Sequence, residues 1–177
     1  MPPDLPADDQ LLLQTQRFRV VRRRQPELRG GTLAREIVLH PGAVVVIPLL
    51  PRDHVCLIRN FRVAVERTLI ELPAGTIDPP EQPEATAARE LTEETGYRAA
   101  RLTALPSFLM SPGILNERMY GFAAHDLTPG PPRREEGEQI ENLVVPWCEA
   151  IAMSLDGRIE DAKTIAALLM WDRLRER

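Results

Sequence analysis

Three glutamates, Glu90, Glu93 and Glu94, crowd into five residues directly after Arg89. On a helix, Glu90 and Glu94 stack on one face and Glu93 flanks them, while Ala87, Ala88 and Leu91 are left to pack on a sheet. Such an array costs something. Like charges four residues apart repel by about 0.2–0.5 kcal/mol. Anions in a last helical turn oppose the helix dipole by about 0.3–1 kcal/mol. A solvated surface helix bears costs of that size, so E-x-x-E-E alone marks a solvated face more often than a site. A divalent cation among the carboxylates would turn repulsion into attraction, and an oxygen-only ligand set selects a hard ion such as Mg²⁺ or Mn²⁺.

The surrounding spacing decides between these readings. Gly75 is followed after five residues by Glu81 and, after seven more, by Arg89-Glu90-Leu91-Thr92-Glu93-Glu94-Thr95-Gly96-Tyr97. This run resembles the Nudix box, G-x5-E-x7-R-E-U-x-E-E-x-G-U with U apolar, at every fixed position; only Tyr97 stands in a slot that is usually aliphatic. The chain is thereby identified as a member of the Nudix hydrolase superfamily. The resemblance implies a loop–helix–loop that holds divalent metal against a diphosphate, with water attacking phosphorus. It assigns Glu90 and Glu94 as principal metal ligands, Glu93 and the carbonyl of Ala74 as further ones, and Arg89 as the residue that orients the carboxylates together with Glu81.

Residues outside the box narrow the substrate. Leu72-Pro73-Ala74-Gly75, Ser111-Pro112-Gly113 with Pro112 sixteen residues after Gly96, Arg35-Glu36, His40-Pro41-Gly42-Ala43-Val44 and Asp161-Ala162-Lys163-Thr164 are similar to the ADP-ribose pyrophosphatase branch over roughly residues 15–175. The implied reaction is Mg²⁺-dependent hydrolysis of ADP-ribose to AMP and ribose 5-phosphate, with Mn²⁺ as a substitute ion. Arg62 falls where the branch meets substrate phosphates, and Arg35 and Glu117 at further substrate positions. The acidic stretch 133–141 aligns Glu136 with the catalytic base and Glu138 with another metal ligand; Glu135 and Glu138 stay in play as the base. Other nucleoside-diphosphate derivatives (sugar nucleotides, dinucleoside polyphosphates, FAD) are the alternative substrates. A non-catalytic nucleotide sensor is a third reading, and the complete glutamate set argues against it. Phe18, Phe61 and Tyr120 are unranked as stacking partners for adenine.

The elements that must position these residues read as α+β. Residues 1–10 are expected to be frayed. Phe18–Arg23 and Thr32–Leu39 read as strands joined across Gly30-Gly31. Ala43–Leu49, continuous and Val-rich, reads as a strand covered on both faces, with Val55–Ile58 as its hairpin partner. Thr68–Leu72, Leu102–Phe108, Met119–Ala124 and Asn142–Val145 read as further strands. Helices are expected over Glu84–Thr95, with Pro83 in the first turn and Gly96 as a left-handed cap, over Cys148–Leu155, and from Ala162 to about Arg175 after an Asp161 cap, with Ile165, Leu168, Leu169 and Leu174 facing the core. The expected architecture is a mixed sheet sandwiched by helices. The N-terminal antiparallel strands (1–40) serve as a dimerisation region, and 41–177 forms the Nudix domain. A homodimer is what the resemblance implies.

Length and composition fit one soluble domain: 177 residues, 44% hydrophobic and 27% charged. A net charge of −4 gives no footprint for nucleic acid. No apolar run approaches the ~18 residues of a membrane span, and a cytoplasmic location is expected. Cys56 and Cys148 both read as core residues. Basic residues are almost all arginine, and Lys163 is the only lysine.

Overall fold

A single strand, β4 (Ala43–Leu50), organises the molecule. Its side chains alternate between two apolar layers, and Ala43 to Ile47 are all at most 5% exposed. Ala43, Val45 and Ile47 face a core with Trp147, Ala150, Met153, Ala167 and Leu168. Val44 and Val46 face Ala87, Leu91, Phe122 and Ala124. Each such buried aliphatic side chain contributes about 1.5–3 kcal/mol. The continuous apolar run is therefore explained by helices on both faces. The computed structural model describes residues 6, 9–26, 32–134, 137 and 139–176.

Eight strands build the mixed sheet. β10 (Arg118–Thr128) runs parallel to β4, with Val44 opposite Tyr120, and antiparallel to β8 (Arg98–Ala104) and the short β9 (Phe108–Leu109). β5 (His54–Arg62) forms a hairpin with β4, Leu49 opposite Val55, and is flanked by β6 (Arg67–Glu71) and β11 (Ile140–Pro146). β7 (Ala74–Thr76) pairs with the start of β4. Helix α1 (Pro83–Glu90) covers one face; α2 (Trp147–Leu155) and α3 (Ala162–Arg175) cover the other. A second, antiparallel sheet joins β1 (Gln10–Gln14), β2 (Arg19–Pro26) and β3 (Thr32–Leu39). Val38 bonds into loop 111–116 through Ile114 O at 2.8 Å and Asn116 N at 3.2 Å.

Several expectations need correction. β1 begins inside the segment read as frayed, and its Leu11, Leu12 and Leu13 are 41–51% exposed on the single chain. Nothing in a run of polar and Leu residues distinguishes such an edge strand from a tail. β7 was hidden by its length and by Pro73. Helix α1 stops at Glu90 and continues through Leu91–Thr95 as a π-type turn, closed by Gly96 at φ +81°. Thr86, not Ala88, joins Ala87 and Leu91 in the interior. In α3, Leu174 is 39% exposed, and Lys163 and Thr164 are buried instead. Cys56 is buried as expected, but Cys148 is exposed, because α2 turns it away from the sheet. Glycines 30 and 31 and glutamates 135, 136 and 138 lie outside the described residues.

Candidate active site

Helix α1 is anchored through Ala87 and Leu91, both fully buried, so its opposite side is turned towards β7. There the backbone and the carboxylates are in contact. A Cβ on Gly75 would stand 2.0 Å from both Cδ and Oε1 of Glu90; the Glu90 carboxylate occupies the volume a side chain would need. One residue earlier, Ala74 N donates to Oε2 of Glu94 at 3.0 Å. Glu94 is only 4% exposed. The two glutamates four residues apart are thus seated on consecutive residues of β7.

Arg89 ties the acids together. Its Nη1 donates to Glu90 Oε1 and to Glu93 Oε2, both at 2.8 Å. Nε and Nη2 each reach Glu81 at 3.1 Å, and Thr86 Oγ1 holds the same carboxylate at 2.8 Å. The guanidinium bond from Arg89, opposed by slight burial, keeps the Glu81 carboxyl below its ordinary range, and Glu81, Glu90 and Glu93 in turn raise Arg89 further above its own. One cation among four carboxylates leaves a strongly negative locus.

Glu90, Glu93 and Glu94 form the floor of a cleft of about 810 Å³. Arg17, Phe18 and Arg19 line its wall, together with His40 and Arg62. Arg62, at the end of β5, forks onto Glu71 through Nε at 2.8 Å and Nη2 at 2.7 Å. Glu117 does not line the cleft; its Oε1 stands 3.6 Å from Nδ1 of His40, which does. Arg35, exposed on β3 opposite Arg23, is not brought to the cleft of its own chain. Arg23 lines the cleft but is forked onto Asp9.

The predicted base Glu136 and ligand Glu138 fall outside the described residues, but both flanks of their loop are fixed beside the acids. Arg133 N donates to Glu93 O at 2.9 Å, Arg134 Nε to Glu94 O at 3.2 Å, and Phe61 N to Gln139 O at 3.4 Å.

Sequence reasoning missed two parts of this site. Arg17 and Arg19 gave no signal, and Phe18 was only one of three unranked aromatics, since a Thr-Gln-Arg-Phe-Arg run is unremarkable until the fold places it over the floor. Buried Glu71, with Lys163 and Asp161 around it, was also missed; the single lysine of the chain was the available clue.

The acidic floor fits a hard divalent ion by its donor chemistry: carboxylate and carbonyl oxygens from one loop–helix unit, with Gly75 giving Glu90 its seat. No three Asp, Glu, His or Cys side chains among the described residues converge as a ready cage. The reason is local, as Glu90 and Glu93 turn to Arg89 and Glu94 turns to Ala74 N.

Comparison with known proteins agrees with this geometry. The NUDIX domain family profile matches residues 39–168. An ADP-ribose pyrophosphatase of Bacillus subtilis is 40% identical over 141 residues, 78% of this chain and 76% of its own. A methanol dehydrogenase activator of Bacillus methanolicus is 36% identical over the same shares. A GDP-mannose pyrophosphatase of Pectobacterium atrosepticum is 38% identical over 136 residues, 72% of this chain and 70% of its own. Among solved structures, an ADP compounds hydrolase superposes with a TM-score of 0.84 at 26% identity, covering 96% of this chain and 92% of that one.

Proposed function

The chain belongs to the Nudix family, and from that premise we propose that it hydrolyses ADP-ribose to AMP and ribose 5-phosphate with Mg²⁺ as its ion. The observation that carries the reading is one cleft with a carboxylate floor and an arginine-lined wall. A dianionic diphosphate suits the wall, and a metal suits the floor. Glu90, Glu93, Glu94 and the Ala74 carbonyl would hold the metal, with Glu138 as a further ligand. When bound there, a divalent ion would supply neutralisation of charge at phosphorus and a more acidic attacking water. Arg89 keeps the carboxylates oriented through bonds to Glu81, Glu90 and Glu93. Glu136 takes the proton of the water; bonds at Arg133 to Glu93 and at Gln139 to Phe61, on either side of it in sequence, support this reading. Arg62 meets the diphosphate, and Glu117 lies on the substrate side through His40. Phe18, 38% exposed in the wall, offers a face for the base.

The protein works as a cytoplasmic homodimer, with residues 1–40 as the dimerisation region and 41–177 as the catalytic domain. Exposed Leu11, Leu12, Leu13 and Leu33 on the N-terminal sheet support this. Arg35, which does not line its own cleft, is then a candidate for the partner's. A mass in solution near twice 19.9 kDa is expected, and a monomer at micromolar concentration would reject the dimer.

The substrate is tested by incubating purified protein with Mg²⁺ and ADP-ribose and resolving AMP by chromatography. No AMP would refute it. GDP-mannose is the second reading, favoured by the Pectobacterium relative; a kcat/KM panel of both with FAD and dinucleoside polyphosphates ranks them.

A further inference from the structure

Lys163 is the only lysine among 22 lysine and arginine residues, and it is buried. Its Nζ donates to Glu71 Oε2 at 2.5 Å and lies 2.9 Å from Asp161 Oδ1. Glu71, 1% exposed, is at the same time forked by Arg62. The four side chains form a neutral set of two cations and two anions. Burial requires such balance, because an unpaired charge out of water is strongly destabilising. A compact ammonium fits between two carboxylates where a planar guanidinium would not. Asp161 also caps α3 by accepting from Thr164 N, and Thr164 Oγ1 receives Leu72 N at 2.8 Å. The first turn of α3 is thus locked to the strand end that leads into Ala74 and Gly75.

One member of the set reaches the cleft. Arg62 is 41% exposed by its side chain and lines the wall, and it feels the charges of Glu71, Glu94 and Asp161. Its fork on Glu71 uses Nε and Nη2, leaving Nη1 outside the pair. Without Lys163 the set carries a net negative charge. Glu71 and Asp161 would then both act on Arg62, cancelling the positive potential it presents to an anion.

We propose that Lys163, acting through Glu71, is a positioning residue that keeps Arg62 electrostatically available to the substrate diphosphate. This rests on the reading of Arg62 as a diphosphate contact. Lys163 itself does not touch substrate; it sets the charge balance behind the arginine.

The test compares wild type with Lys163→Met, Asp161→Asn, Arg62→Ala and the Arg62→Ala/Lys163→Met double variant, all with melting temperatures recorded. Lys163→Met is expected to raise KM for ADP-ribose on the order of tenfold, the loss of about one hydrogen bond from a charged group to the diphosphate, with kcat within about threefold of wild type. In the Arg62→Ala background the same change should add nothing to KM. Asp161→Asn, which keeps a capping side chain and removes a negative charge, should leave KM at or below wild type. KM raised equally in both backgrounds would mark a charge effect that does not pass through Arg62, and kcat falling with melting temperature a role confined to stability; either result overturns the proposal, as does a raised KM in Asp161→Asn. Binding of α,β-methylene-ADP with Mg²⁺, followed calorimetrically, reads the same coupling without turnover. Wild type that binds this probe but releases no AMP from ADP-ribose refutes the substrate reading alone. Equal probe affinities in wild type and Lys163→Met refute the role of Lys163.

Discussion

Replacing Gly75 by alanine separates what the glycine does for the site from what it does for the fold. The new Cβ would lie 2.0 Å from Cδ and Oε1 of Glu90 and 2.5 Å from Oε2. Ordinary contact begins near 3.4 Å, so the carboxylate must retreat by about 1.4 Å. It can do so, since it is the far end of a flexible side chain and Gly75 is not in a left-handed conformation. The cost to stability is an off-rotamer Glu90 and a weakened bond to Arg89, about 0.5–1.5 kcal/mol. For a domain of this size that lowers the melting temperature by roughly 1–6 °C. The cost to chemistry is larger. A misplacement of about 1 Å in a catalytic group costs ~100-fold, so kcat should fall at least ~100-fold and half-saturation by Mg²⁺ should move upward. The assay is AMP release from ADP-ribose over an Mg²⁺ titration, beside a thermal melt by circular dichroism. A kcat within about threefold of wild type would refute the assignment of Glu90 to the metal. Gly96→Ala provides the contrast. Its Cβ would meet backbone, Gly130 O at 2.2 Å, at a residue with φ +81°. Neither can swing aside, so that variant should lose stability first, with a melting temperature well below that of Gly75→Ala.

Glu94→Gln is expected to lose activity by about two to three orders of magnitude while its melting temperature in the absence of Mg²⁺ stays close to wild type, since Gln can still accept from Ala74 N; activity within tenfold would remove Glu94 from the ligand set. Glu136→Gln should depress kcat and spare the affinity for Mg²⁺ and ADP-ribose, and an unchanged kcat would move the base to Glu135 or Glu138. Acid stability follows from Glu71: burial alone would raise its carboxyl, but the bonds from Arg62 and Lys163 outweigh this and hold it below the ordinary 4.5. A depressed folded value means that the stabilisation is complete above about pH 4.5 and is lost as pH falls through the folded value; melting temperature should be flat from pH 7 to about 5.5 and decline below 4.5, and a flat profile down to pH 3 would contradict it.

Local spacing along the chain was enough to group the acidic residues of the cleft floor. Gly75, Glu81 and Arg89 to Gly96 lie within one loop and one helix, so their relative positions follow from helical periodicity and a short connection. The same holds for the Asp161 cap of α3, whose bond to Thr164 N spans three residues, and for β4, whose unbroken apolar run requires cover on both faces. Signals of this kind are written at short range.

Other features came only with tertiary structure, because the partners are far apart in sequence. Glu71 meets Lys163 across 92 residues, and neither type announces burial, since a lysine and a glutamate are ordinarily solvated. Arg17, Phe18 and Arg19 become a wall only when the N-terminal sheet is tethered to loop 111–116 through Val38. Thr86 and Lys163 replace Ala88 and Leu174 inside because polar partners rather than hydrophobicity decide these helix positions: Thr86 bonds to Glu81 five residues before it, and Lys163 pairs with distant Glu71. The sequence by itself determined the chemistry of the acidic floor, where helical repeat sets the distances; the cleft opposite it and the charge balance behind Arg62 depend on how distant strands and α3 pack, which no local pattern encodes.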